Sequence, residues 1–188
     1  LEAVADIVYN PSRTRLMCDA IAMGLKVAGG LSMLVAQAYK AMTIFKGIPF
    51  EPDRELMEKV IRMLEFEMLN ITFVGMPGCG KSTIGKRLAE ELGKTFVDLD
   101  DMFTTTYNTT PAEVIKSRGE DEFRAMETAI VKDVLPKSGL IVSTGGGVVT
   151  RMENYFFLKC NSRVIYVKRP LESLLKQDMR NRPVSKSK

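Results

Sequence analysis

Histidine is missing from the whole chain of 188 residues. Its absence removes Ser-His-Asp and Cys-His nucleophilic sites and histidine-ligated metals. Acid–base work must fall to Asp, Glu, Lys or Tyr, or to chemistry assisted by Arg. Cysteine is scarce: Cys18, Cys79 and Cys160 are far apart and odd in number. They match neither a disulfide framework nor a zinc site, and a reduced cytoplasmic setting is expected. No run approaches the ~20 apolar residues of a membrane span. The N-terminus carries Glu2 where a signal peptide would be basic, and it lacks an initial Met, which reads as a fragment. No Lys/Arg block with interleaved aromatics occurs, and the net charge is only +4 (27 basic, 23 acidic). Nucleic acid and membrane are therefore not expected partners, whereas a phosphorylated small molecule suits this charge. Apolar residues make up 45%, enough for a packed core.

Against these absences stands one dense motif. Gly75-Met76-Pro77-Gly78-Cys79-Gly80-Lys81-Ser82 fits G-x-x-x-x-G-K-[ST] without a mismatch, and Thr83 follows. The apolar run Ile71–Val74 precedes it and a helical pattern comes after. This is the sequence of a phosphate-binding loop. Its glycines let backbone N–H groups turn toward phosphate oxygens. Lys81 adds a charge near the β and γ phosphates, and the Ser82 hydroxyl can hold Mg²⁺. The helix that follows aims its positive end at the same anion. A ligand-free glycine turn would not require strand, loop, Lys-Ser and helix to coincide.

Short apolar runs at Ile71–Val74, Phe96–Leu99, Leu140–Ser143 and Val164–Val167 predict strands. Helical patterns fall between and after them, at about 82–92, 111–117, 120–134, 151–159 and 171–176. Buried strands alternating with helices predict an α/β fold: a parallel sheet with helices on both faces. Before residue 70 the pattern differs. Asp6–Tyr9 reads as a short buried strand. Helices fit about 14–25, 31–45 and 52–66, the last strongly charged and read as a connection.

Further candidate residues gather near predicted strand ends. Asp98 and Asp100 lie 17 and 19 residues after Lys81, and strand alternation would put both on one face. One carboxylate can reach Mg²⁺ through water, and the other can orient an acceptor hydroxyl. A solvated acidic turn is the competing reading. Arg124 and Glu127 are i and i+3 on one predicted helix. They are either an exposed ion pair worth under ~1 kcal/mol or an Arg held rigid to grip a carboxylate. Gly145-Gly146-Gly147 follows the third strand, where backbone amides can approach a ligand or a flexible turn can form. Arg180-Asn181-Arg182-Pro183 offers a lid arginine or a solvated tail.

Taken in order, G-M-P-G-C-G-K-S-T, F-V-D-L-D-D, R-G-E-D-E-F-R-A-M-E, S-T-G-G-G-V-V and R-P closely resemble shikimate kinase, over about residues 70–188. The resemblance implies a P-loop fold of the nucleoside-monophosphate-kinase kind. The implied reaction moves the ATP γ-phosphate to the 3-hydroxyl of shikimate, within aromatic amino acid biosynthesis. It implies Lys81 and Ser82 for phosphate and Mg²⁺, Asp98 for the metal, and Arg182 for the lid. Asp100, Arg124 and Gly146, with the neighbouring Gly145 and Gly147, would take shikimate. The family continues beyond the lid with another helix, a fifth strand and a final helix, so little activity is expected of a chain ending at Lys188.

The opening segment carries a second, shorter resemblance. D-I-V-Y-N-P-S-R-T-R-L-M and G-G-L-S-M-L-V-A-Q-A resemble the C-terminal end of shikimate dehydrogenase, over about residues 1–47. This implies that Tyr9 and Gln37 touch shikimate and that NADP serves a dehydrogenase whose catalytic residues and cofactor loop lie upstream. The expected organisation is a dehydrogenase-like piece at 1–50, a linker helix at 51–68 and a kinase-like domain at 69–188. A kinase of another small polyol or sugar acid, such as gluconate, and a non-catalytic nucleotide-binding module are the alternatives.

Overall fold

In the computed structural model, residues 2–170 are described, together with Glu172 and Leu174. The chain divides into two compact units, Leu1–Leu69 and Asn70–Lys188.

The first unit begins with β1 (Ala3–Ala5), α1 (Arg15–Ala22) and β2 (Lys26–Ala28). The strands pair in parallel, Val4 opposite Val27, so α1 is a crossover between them. The strand expected at Asp6–Tyr9 is displaced to Ala3–Ala5. The reason is local: the Asp6 carboxylate accepts the Val8 N–H at 3.0 Å and the Thr14 hydroxyl at 2.6 Å. That turn ends the ladder and leaves Ile7, Val8 and Tyr9 exposed. Thr14 also caps α1, accepting from Met17 N. Gly24, with φ +75°, follows the helix's end and leads into β2, a strand the sequence pattern did not predict. Then come α2 (Leu31–Phe45) and α3 (Arg54–Met68), the latter capped by Asp53.

The second unit runs β3 (Asn70–Val74), α4 (Lys81–Leu92), β4 (Thr95–Asp98), α5 (Leu99–Tyr107), α6 (Pro111–Arg118), α7 (Glu120–Val134) and β5 (Leu140–Ser143). A 3-10 turn (Val148–Thr150), α8 (Glu153–Cys160) and β6 (Ser162–Tyr166) complete it. The sheet order is β4-β5-β3-β6, every pair parallel. Alternation along β3 and β5 sends Val74 and Val142 to one face and Phe73 and Ile141 to the other. The first face packs on Leu99, Phe103, Phe123, Val131, Val134 and Leu158; the second packs on Ala89, Leu88 and Phe96. Helices therefore cover both faces, as the α/β pattern predicted.

Two expectations need correction here. Helix α5 was not foreseen; the Asp98 side chain starts it by accepting the Asp100 N–H. The last strand begins at Ser162, earlier than predicted, and Val164, Ile165 and Tyr166 are exposed rather than buried. It is an edge strand among the described residues, pairing only with β3. Most of the helix expected at 171–176 lies outside the described residues.

Asn70 ties the sheet's lower edge together. It is fully buried. Its amide donates to the carbonyls of Leu135 at 3.0 Å and Lys137 at 2.6 Å, and its oxygen accepts Leu140 N–H at 2.8 Å. One side chain thus closes the α7–β5 connection against β3. Asn70→Ala would strip three backbone groups of this partner, of which Lys137 O keeps the Asn161 amide at 3.0 Å, and is expected to cost about 2 kcal/mol. Urea denaturation of the two proteins measures it; a cost under about 1 kcal/mol would mean water replaces the amide.

Candidate active site

The phosphate loop leaves β3 at Gly75 and enters α4 at Lys81. Gly75, Gly78 and Gly80 have φ of +150°, +80° and +100°, values that L side chains rarely adopt. At Gly75 space adds to the restriction. A Cβ there would stand 2.5 Å from the Val167 carbonyl oxygen, and Val167 N–H donates to Val74 O at 2.8 Å. The loop root is therefore clamped to the strand beside it. Inside the loop Cys79 N–H donates to Met76 O at 3.3 Å. Lys81 is buried, and its ammonium donates to Gly75 O at 2.9 Å and Met76 O at 3.0 Å. Gly80 precedes α4 with no side-chain cap, so the helix's first turn offers its N–H groups toward the loop. Cys79 is buried, while Met76 is exposed.

Ser82 lies one residue into that helix. Its hydroxyl donates to Asp98 Oδ2 at 2.6 Å and sits 3.0 Å from the Ser143 hydroxyl. Asp98 ends β4 and Ser143 ends β5, directly opposite in the parallel register. Three oxygen-bearing side chains thus meet at the carboxyl ends of the strands. Asp98 Oδ1 accepts Asp100 N–H at 3.0 Å. The strand-alternation argument for Asp98 and Asp100 fails, because Asp100 lies in the first turn of α5 rather than on a strand. The two carboxylates point to different partners instead, Asp98 to Ser82 and Asp100 toward Gly145. A Cβ at Gly145 would stand 3.1 Å from Asp100 Oδ1.

Mg²⁺ favours oxygen ligands, retains several waters and is held by few protein groups plus phosphate. The Ser82, Asp98 and Ser143 oxygens fit that preference. No group of three His, Cys, Asp or Glu able to cage a metal occurs among the described residues.

The glycine run faces a buried ion pair. Arg124 Nη1 donates to Glu127 Oε2 at 2.8 Å, both side chains being 7% exposed. Arg124 also donates to Glu120 Oε1, at 3.3 Å from Nε and 3.0 Å from Nη2. The pair is thus not the exposed contact of the bland reading. A Cβ at Gly145 would lie 2.6 Å from Glu127 Oε1, one at Gly146 would lie 2.6 Å from Pro77, and one at Gly147 would collide with the Arg124 guanidinium. Glu127 Oε1 is buried and accepts no hydrogen bond from the protein's described residues. Burial is the largest influence on Glu127 and lifts its carboxyl above the ordinary range, against the pull of Arg124 and Arg151. For Arg124 burial, again the largest influence, acts downward, yet Glu127 and Glu120 together hold the guanidinium above its usual value. The two directions agree physically. Arg124 has two acidic partners, whereas Glu127 has a naked oxygen.

The remaining predicted residues fall elsewhere. Thr83 is exposed on α4. Tyr9 and Gln37 are exposed residues of the first unit, after β1 and on α2. Arg180 and Arg182 lie outside the described residues. Sequence reasoning missed Ser143, whose signal was a hydroxyl at a strand's carboxyl end just before Thr-Gly-Gly-Gly. It also missed Arg169, whose Nη1 donates to Gly78 O at 3.3 Å.

The sequence model of the shikimate kinase family matches residues 77–188. Shikimate kinase of Clostridium beijerinckii is 42% identical over 117 residues, covering 62% of this chain and 69% of that protein. That of Acinetobacter baylyi is 39% identical over 123 residues, covering 64% and 68%. Among solved structures, Acinetobacter baumannii shikimate kinase in complex with shikimate superposes with a TM-score of 0.62 at 35% identity, covering 65% of this chain and 70% of that one. The Aquifex aeolicus enzyme gives 0.56 at 29%, covering 62% and 70%.

The state of Glu127 has a readable consequence. A carboxyl whose native pKa is raised stabilises the fold in its protonated form. That contribution is complete below the ordinary value of 4.5 and is lost as pH rises through the raised native value. Glu127→Gln stays neutral throughout. The Tm of wild type minus that of Glu127→Gln is therefore expected to fall as pH rises above 4.5. A difference that grows over that interval would mean the ion pair with Arg124 outweighs burial.

Proposed function

The chain belongs to the shikimate kinase family, and we propose that its residues 69–188 carry that family's reaction through the site described above. The reaction is transfer of the γ-phosphoryl group of ATP to shikimate, giving shikimate 3-phosphate on the route to aromatic amino acids. One observation carries the assignment of the site. Asp100, the Arg124–Glu127 pair and Gly145–Gly147 converge at the carboxyl ends of β4 and β5, against Pro77 of the phosphate loop. An acceptor pocket next to a phosphate loop is what phosphoryl transfer requires.

In this reading residues 75–83 take the nucleotide phosphates. Lys81 gives up its loop carbonyls for phosphate oxygens, an exchange of neutral acceptors for charged ones that favours the bound state. Ser82 and Asp98 would hold Mg²⁺, which would supply neutralisation of charge on the nucleotide phosphates. Asp100 receives the hydrogen bond of the acceptor hydroxyl and can take its proton. Arg124, its fork fixed by Glu127 and Glu120, meets the substrate carboxylate. Gly145, Gly146 and Gly147 leave room for the ring, since any Cβ there would strike groups that line it. Arg182 is the lid arginine of this scheme. Positioning and preorganised charge are the main catalytic contributions.

The reading extends to the first unit. Residues 1–50 are the C-terminal part of a shikimate dehydrogenase-like domain, 51–68 a linker helix, and the whole a bifunctional dehydrogenase–kinase, with NADP belonging to the dehydrogenase. The quoted motifs support this, as does the parallel β1–α1–β2 unit, a building block of dinucleotide-binding folds. Tyr9 and Gln37 are its shikimate contacts. The location is cytoplasmic, supported by three free thiols. No helix among the described residues is long and apolar enough to cross a membrane.

The test is turnover of Mg-ATP with shikimate, gluconate and other small hydroxy acids. Shikimate is expected to be the preferred acceptor; equal rates on gluconate would overturn the substrate. In the complete kinase, Lys81→Met is expected to lower kcat by at least about 10²-fold with an unchanged circular dichroism spectrum. Arg124→Lys is expected to raise the shikimate KM about tenfold although charge is kept, because an ammonium cannot match the bidentate fork. An unaltered shikimate KM would remove Arg124 from the site.

A further inference from the structure

The phosphate loop has three carbonyls held by cationic side chains. Lys81 holds those of Gly75 and Met76, and Arg169 holds that of Gly78 from the far side of the loop. Arg169 reaches across 91 residues of sequence, from just beyond β6. The approach is built, not incidental. Five residues of β6 pair with β3, from Asn70 opposite Ser162 to Val74 opposite Tyr166. Val167 then continues the ladder to Val74 O at 2.8 Å and packs where Gly75 has no side chain. Two residues later the chain presents Arg169 to the middle of the loop.

We propose that Arg169 is a positioning residue for nucleotide binding, fixing the Gly78–Cys79 peptide of the phosphate loop so that nucleotide phosphates meet a preformed cradle. The inference rests on reading residues 75–83 as the nucleotide site. A trans peptide points its C=O and N–H in opposite directions. Holding the Gly78 carbonyl therefore also fixes the direction of the Cys79 N–H. Gly78 has φ +80° and no side chain to restrain it, so the peptide's orientation depends on two contacts: Arg169 at its carbonyl, and Met76 O, which accepts the Cys79 N–H at 3.3 Å. The two cations also behave differently when a nucleotide arrives. Lys81 must leave its carbonyls to meet phosphate. Arg169 can keep its bond, because Gly78 O is not a group that phosphate replaces. Its effect is therefore the same before and after phosphoryl transfer: ATP and ADP gain alike, which alters KM and leaves kcat unchanged. No such dependence is expected for the acceptor, whose candidate groups lie at Asp100, Arg124 and the glycine run.

The experiment compares wild type, Arg169→Ala and Arg169→Lys as full chains. ADP affinity is measured by titration calorimetry, KM values for ATP and shikimate by coupled assay, and Tm by thermal melting. Arg169→Ala is expected to weaken ADP and raise the ATP KM by about fivefold each, for loss of one charge-assisted bond at an exposed site. Its shikimate KM, kcat and Tm should match wild type. Arg169→Lys, which keeps a charged donor, should recover most of the affinity. Unchanged ADP affinity in Arg169→Ala would overturn the proposal. So would an equal loss for shikimate accompanied by a lower Tm, which is the mark of a structural role. Failure of wild type itself to bind ADP would instead remove the nucleotide-site reading beneath it.

Discussion

Everything at the site depends on the absence of a side chain at Gly75. Where β3 ends, the Val167 carbonyl stands 2.5 Å from the point a Cβ would occupy. There the chain also adopts φ +150°, and only glycine accepts both the close approach and that angle without strain. The turn delivers Lys81 back onto the loop's own carbonyls and starts α4 with its N-terminus facing the loop. One residue on, Ser82 meets Asp98 and Ser143, whose strands are aligned by the same sheet. Local backbone geometry thus decides where the charged groups stand, and electrostatics acts on a frame already set.

The proposed acceptor side of the site is built on a different balance. Burying Arg124 and Glu127 together costs several kcal/mol of desolvation, which their mutual attraction need not repay. Neither residue lies on the helix's apolar stripe for packing reasons alone. Phe123, Ile130, Val131 and Val134 already anchor α7 to the sheet. Glu127 further keeps one buried oxygen without a hydrogen-bond partner among the described residues. A pair maintained at such a cost is better explained by what Arg124 does than by stability. Glu120 contributes less, because it is largely exposed and water screens its charge.

Strands and phosphate loop were legible because their signals are local. Continuous apolar runs between glycine and proline breaks gave β3, β4 and β5 to within a residue. The α2 and α7 boundaries followed from helical spacing. What failed turned on side-chain bonds and neighbours that an apolar pattern does not carry. Asp6 ends β1 through bonds to Val8 and Thr14, and nothing in the apolar pattern reveals that turn. Asp98 was read as a strand residue whose neighbour shares its face, yet its side chain caps α5 and puts Asp100 on a helix. Val164–Tyr166 look like a buried strand by composition, but burial depends on neighbours that composition does not specify. The role of Arg124 could be posed but not decided, because exposed and buried i,i+3 pairs have the same spacing. Ser143 and Arg169 escaped for a related reason: single polar residues carry no pattern, and their meaning comes from partners 61 and 91 positions away.

The glycine run after β5 joins the two halves. Gly146 packs against Pro77 of the phosphate loop, while Gly145 faces Glu127 and Asp100, and Gly147 faces Arg124. Each glycine is excluded from growing by a different functional group. A substitution at Gly146 would push on the nucleotide side, and one at Gly147 on the acceptor side. In the proposed reading, three consecutive residues would fix the spacing between donor and acceptor, to which in-line transfer is sensitive, since a misplacement near 1 Å can cost about 10²-fold in rate. The run's flexibility in isolation is beside the point. In place, it is the part of the site with the least freedom to change.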